Sequence, residues 1–236
     1  MAAAAPAPTA AALLVELRAA AHPSEYPQRH YPGTAVVLGV RMGTLFDIAK
    51  PYAAMPIGEL ELLLDEPEYE PRLAAFCVMD FAVRGSRDDA LRRDRYDLYL
   101  RRHDRIDSWD MVDRSAPRVI GEFLASRSRA PLFELAEASD PLRRRTAMTA
   151  PLGFLRRGDA DARADVFRLA GMLLEDPDPV VWKPVGIALR HLGPVDPDGL
   201  VAFLDANAER MPRPVLRAAR EKLPPGTRYS RADGGA

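Results

Sequence analysis

Apolar residues return at every third or fourth position along almost the whole chain, the spacing of helices that each bury one face. The pattern predicts helices over residues 9–21, 43–53, 56–64, 68–83, 87–103, 108–125, 130–138, 141–157, 161–174, 179–192, 197–208 and 212–223. Start signals agree: Asp176-Pro-Asp-Pro179, Asp196-Pro-Asp198 and Pro212-Arg-Pro214 place capping acids or first-turn prolines where periodicity begins. Gly158 and Gly193 follow basic last turns, where helices stop. Pro117 and Pro151 fall inside predicted helices and should kink or break them. Only Val36-Val-Leu-Gly-Val40 has strand character, and it also reads as a loop or a short helix.

The predicted helices group in pairs near 130–157, 161–192 and 197–223, a period of about 35–40 residues. The expected fold is therefore all-α, an α-solenoid of two-helix repeats whose concave surface forms a groove for an extended partner. Residues 9–225 would form a single repeat domain. The Ala/Pro-rich segment 1–8 and residues 226–236 would be disordered tails.

Composition narrows this picture. A chain of 236 residues with 47% hydrophobic content can bury a substantial core. No run approaches the roughly 18 apolar residues of a membrane span. The N-terminal segment lacks a basic region, and Glu16 and Arg18 interrupt its apolar part, so it reads as a tail and not a signal peptide. The cytoplasm is the expected location. The single cysteine, Cys77, excludes a disulfide within the chain and sits in Leu73-Ala-Ala-Phe-Cys-Val-Met79 as a small buried hydrophobe. His22, His30, His103 and His191 are scattered and expected at surface or capping positions. No Cys/His cluster has metal spacing, so neither a metal nor another cofactor is expected. Glu59, Glu61, Asp65 and Glu66 read as a solvated helix face.

The formal net charge of -1 argues weakly against nucleic acid, but the charge is segregated. Residues 51–80 carry seven acids and one Arg, while residues 141–157 carry five Arg and no acid. Residues 209–231 carry six Arg, one Lys and two Glu. A folded chain can collect the basic segments on one surface.

The most informative stretch is Arg105-Ile-Asp-Ser-Trp-Asp-Met-Val-Asp113. Trp109 and Asp113 stand at i and i+4 and share a helix face, with Asp107 placed as the N-cap. A flat aromatic wall beside an anion suits a site that stabilises positive charge. The alternative is a Trp packed in a helical core and an Asp on a solvated face. In helix 141–157, Arg145, Thr149, Leu152 and Arg156 share a face. Arg143, Arg144 and Arg145 lie at the positive end of its dipole, a placement that calls for phosphate or an acidic neighbour. In helix 179–192, Lys183, Ile187 and Arg190 share a face, fitted either to a phosphate backbone or to ordinary snorkelling cations. No Gly-rich phosphate loop, metalloprotease helix or nucleophile elbow is present.

Taken in order, Leu38-Gly-Val-Arg41, Trp109-Asp-Met-Val-Asp113, Arg144-Arg-Thr-Ala147, Lys183-Pro-Val-Gly186 with Arg190, and the tail helix through Lys222 resemble one family. It is the AlkD family of DNA alkylation-repair glycosylases, which are HEAT-like helical repeat proteins, and the resemblance covers residues 30–223. It implies hydrolysis of the N-glycosidic bond of cationic N3- or N7-alkylated purines in duplex DNA, gripped on the concave face with no need to flip the damaged base into a pocket. Asp113 would be the catalytic carboxylate, Trp109 a wall against the deoxyribose, and Arg145 a contact to the backbone near the lesion. Arg41, Arg144, Arg156, Lys183, Ile187 and Arg190 would complete the DNA-binding surface of a monomer. The chemistry is consistent: an alkylated purine is already a good leaving group, and the barrier lies in positive charge developing on the sugar. One departure stands out. The family's second cleft tryptophan corresponds here to Ile187. That substitution fits a site widened for bulkier adducts, or a paralogue that binds distorted or branched DNA without cleaving it.

Overall fold

The computed structural model describes residues 8–33 and 35–227. Among the described residues there is no strand, and helices follow one another from Ala10 to Arg220. They divide into two compact units, one ending at Val119 and the other beginning at Ile120. Of the two expected tails, residues 1–7 and 228–236 lie outside the described residues, as does the side chain of His30. No described helix is long and apolar enough to cross a membrane.

The first unit holds α1 (Ala10–Ala19), α2 (Met42–Ala49), α3 (Ile57–Asp65), α4 (Tyr69–Val83), α5 (Asp89–Arg101) and α6 (Trp109–Ala116). The other five pack on α4, in which every residue from Tyr69 to Asp80 is buried. A helix covered all round must satisfy its polar residues internally. Glu70 does so by accepting the backbone N–H groups of Leu38, Gly39 and Val40 at 2.8, 2.8 and 3.0 Å. That carboxylate explains the run 36–40: it is an extended loop whose donors go to Glu70 instead of to a neighbouring strand. Gly39 turns the loop at φ +84°, where an added Cβ would lie 2.6 Å from Pro23 Cα.

Two expectations are corrected in this unit. The acids of α3 are ties and not merely a solvated face. Glu59 accepts from Ala10 N at 2.7 Å, Glu61 pairs with Arg101 at 2.7 Å, Asp65 pairs with Arg102, and Glu66 lies 3.8 Å from Arg18. His103 is fully buried, edge-on to Tyr99, and not at the surface. The imidazole serves there as a ring to pack. Cys77 is buried as expected, and burial pushes its thiol up to about 12.

The second unit holds α7 (Glu122–Leu124), α8 (Ala130–Ala136), α9 (Pro141–Thr149), α10 (Ala160–Leu173), α11 (Pro179–Leu192), α12 (Pro197–Asn207) and α13 (Arg213–Arg220). The second helices of the three expected pairs pack in a row, α9 on α11 and α11 on α13, while α8 touches both α9 and α10. Asp140, Asp178 and Asp196 cap their helices through backbone N–H groups at 2.9 Å each. Two glycines set close approaches. A Cβ on Gly121 would lie 1.8 Å from the Ala150 carbonyl oxygen, and one on Gly186 would lie 3.0 Å from Ala218 Cβ.

Both flagged prolines end regular helix. Pro117 opens a π-helical turn, Pro117–Gly121, directly after α6. Pro151 lies in a 3-10 turn, Ala150–Gly153, that replaces the second half of the predicted helix 141–157. The face expected to join Arg145, Thr149, Leu152 and Arg156 is therefore interrupted after Thr149. Pro184 behaves differently: α11 runs straight through it.

Candidate functional site

Trp109 and Asp113 both lie on α6, one turn apart, so the pairing read from spacing is realised on one helix face. Trp109 is 46% exposed, which removes the reading of a tryptophan packed in a core. Asp113 is half-buried. Met111, Val112, Ser115 and Ala116 of the same helix are buried, and α6 packs on α4.

The start of α6 is set by a network the spacing did not reveal. Ser108, not Asp107, occupies the N-cap position. Its hydroxyl donates to Asp110 at 2.6 Å; Asp110 also accepts the Met111 N–H at 2.9 Å and the hydroxyl of buried Tyr69. Burial raises the Asp110 carboxyl above the ordinary aspartate range, and the hydrogen bonds from Ser108, Tyr69 and the backbone oppose that rise. The Tyr69 hydroxyl is itself raised, by burial first and by the Asp110 charge second. Asp107 pairs instead with buried Arg72 at 2.9 Å. Of the two acids on α6, Asp110 is thus committed to holding the helix start, and Asp113 is the one a turn from the exposed indole.

Arg41 is exposed at the N-terminus of α2 in the same unit. The remaining predicted residues belong to the second unit. Arg144 has found the acidic neighbour that its placement called for: it pairs with Asp176 at 2.6 Å and donates to the Ala138 and Ser139 carbonyls at 2.9 and 2.7 Å, closing the end of α8. The Asp176 hydrogen bond raises the Arg144 guanidinium further, so the arginine stays charged.

Arg145 is buried, 4% exposed, and its Nη1 donates to the Val180 carbonyl at 2.5 Å. Val180 stands four residues before Pro184, whose nitrogen has no hydrogen to give to that carbonyl. Arg145 therefore supplies the donor that Pro184 withholds, which explains how α11 continues through a proline.

Lys183 is exposed on α11, with Ile187 and Arg190 half-buried on the same helix. Arg190 lies 3.2 Å from Glu221. Exposed Arg156 donates Nη2–H to His191 Nδ1 at 2.8 Å, so His191 is neutral with its proton on Nε2. Burial lowers the His191 pKa, and the charges of Arg156, Lys222 and Arg190 lower it further. Three cations thus converge around one imidazole. Gly186 of the Lys-x-x-Gly element admits α13 close against α11. Among the described residues no group of three His, Cys, Asp or Glu is arranged to hold a metal.

These features define an all-helical protein with an exposed tryptophan one turn from a carboxylate in one unit and a cation-bearing helix pair in the other. The family model described as DNA alkylation repair enzyme matches residues 13–223. The chain belongs to that family, and the family places it in DNA repair. No curated protein matches the chain.

Proposed function

We propose that the protein is an AlkD-like DNA glycosylase that hydrolyses the N-glycosidic bond of cationic N3- or N7-alkylated purines in duplex DNA. Trp109 carries the reading: an indole 46% exposed, one helical turn from a half-buried carboxylate on the same face, offers a flat aromatic wall beside an anion. In the complex the indole lies against the deoxyribose. Asp113 stabilises the oxocarbenium-like sugar electrostatically and orients the attacking water. The indole face adds about 1–2 kcal/mol of cation–π attraction once desolvated. No proton donor to the base is needed, because the alkylated purine leaves as a neutral group.

In this reading the paired helices act as HEAT-like repeats, and Arg41, Arg156, Lys183 and Arg190 lie along the phosphate backbone. Arg145 holds in shape α11, the helix that carries Lys183 and Arg190. The test is release of free base from a methylated duplex by wild type beside Asp113→Asn. Release of N7-methylguanine or N3-methyladenine by wild type, lost in the variant with the fold intact, is the expected result. Full activity in Asp113→Asn refutes the mechanism.

Half-buried Ile187, where the AlkD-like pattern has an aromatic residue, supports a second reading as a DNA-binding paralogue without cleavage. Salt-dependent duplex binding with no release from methylated or bulky-adduct DNA would select it.

A further inference from the structure

Asp80 is fully buried on α4 and receives three arginines. Arg84 reaches one carboxylate oxygen through Nη2 at 2.7 Å and Nε at 3.1 Å. Arg114 reaches the same oxygen at 3.1 Å, and Arg118 reaches the other at 2.9 Å. One carboxylate balances one guanidinium, so the cluster keeps an excess of two positive charges. The three cations repel one another across that one anion, and a further anion would relieve the repulsion.

The cluster is also held ready. Arg114 lies between two rings, 4.3 Å from Phe46 and 4.7 Å from Phe81, and Arg84 lies 4.7 Å from the same Phe81. Arg114 is the inner member, with its side chain 17% exposed. Arg84 and Arg118 are the outer members, at 39% and 38%. Each guanidinium has five N–H donors. Arg84 uses two nitrogens on Asp80 and Arg118 one, and both side chains are more than a third exposed. Two part-exposed guanidiniums on a fixed base offer the forked donors that a phosphate's oxygens accept.

We infer that Arg84, Arg114 and Arg118, seated on Asp80, form a phosphate-binding site, and that its occupant is a backbone phosphodiester of the duplex. The choice of occupant rests on the DNA reading above; the anion site itself does not. Arg114 and Arg118 extend from α6 into the turn after it, so a phosphate bound here is referenced to the helix that carries Trp109 and Asp113.

The test uses the full chain and an unmodified duplex, so it does not depend on base release. The slope of log affinity against log salt is measured for wild type, Arg84→Gln/Arg118→Gln and Arg84→Lys/Arg118→Lys, with thermal melting as the control for folding. Neutralising both outer arginines should flatten the slope by about one to two ions, and the Lys pair should largely restore it. A slope unchanged in the Gln pair overturns the inference. If the Gln pair fails to fold, Arg118→Gln alone should flatten the slope by about one, and an unchanged slope there overturns it equally. Titration with inorganic phosphate separates the two sources of anion: binding lost in the Gln variant while the DNA slope stays constant overturns the assignment to the duplex. A normal slope change with no base release from any alkylated duplex would refute the glycosylase reading and leave this site standing.

Discussion

Arg145 and Pro184 should be coupled through a single carbonyl. Replacing Arg145 by Met keeps much of the buried aliphatic volume and removes the donor to Val180 O, now bonded at 2.5 Å. Pro184 offers that oxygen no backbone partner, so the variant strands it in a part-buried position. The general cost of an unsatisfied buried acceptor is about 1–3 kcal/mol, and partial burial places this one toward the lower half. Other contacts of Arg145 add to the total, which makes the single variant uninformative by itself. A double-mutant cycle removes them. In the Pro184→Ala background position 184 regains an N–H, the helical bond to Val180 O forms, and Arg145→Met no longer leaves the oxygen without a donor. Urea unfolding of the four proteins should show Arg145→Met costing about 1–2 kcal/mol less in the Pro184→Ala background than in the wild-type one. Equal costs in both backgrounds would refute the argument that the arginine serves the proline. Base release on the same four proteins adds the functional question: if Arg145 acts through α11, Pro184→Ala should recover part of the activity that Arg145→Met loses.

Two further outcomes follow from the geometry. Gly121→Ala places a methyl group 1.8 Å from the Ala150 carbonyl, and the backbone must move; destabilisation of about 3 kcal/mol or more in urea unfolding is expected, and a change under about 1 kcal/mol would contradict the close approach. His191 has its pKa lowered in the fold, so the neutral ring is the form that folding favours and its contribution is fully present above the ordinary histidine value of about 6.5. That contribution is lost as pH falls toward the lowered value, because protonated Nδ1 can no longer accept from Arg156; an NMR titration midpoint at or above about 6.5 would refute this.

Much of the helical order was legible because periodicity, capping aspartates and prolines reinforce one another locally. The starts at Asp178 and Asp196 needed no tertiary information, since the capping oxygen and the N–H it accepts lie within three residues. The run 36–40 was ambiguous for the opposite reason. Its backbone donors are satisfied by Glu70, some thirty residues away, and nothing in a window of apolar residues announces a buried carboxylate. The same holds for His103, whose burial beside Tyr99 depends on what α4 and α5 do around it. Asp107 looked like a cap on local grounds, but Arg72 claims it from another helix.

The arginines show where periodicity stops being informative. Arg144 and Arg145 are adjacent and chemically identical, and the sequence marks both as cations awkwardly placed at the positive end of a helix. In the fold one is neutralised by Asp176 and closes α8, while the other is buried to bond a carbonyl that a proline has freed. Neither job is visible from its own helix, because each is defined by a residue more than thirty positions away. Arg84, Arg114 and Arg118 sit in a stretch where acids and bases are nearly matched, yet they converge on one buried acid and outnumber it. Local charge density therefore misplaces the anion-seeking surface. The quantity that matters is the number of guanidiniums left over once each buried carboxylate has been counted. At Asp80, on the helix that supports Trp109 and Asp113, three guanidiniums share one buried carboxylate and two of them are more than a third exposed, whereas Arg145 in the first turn of α9 is buried on a carbonyl.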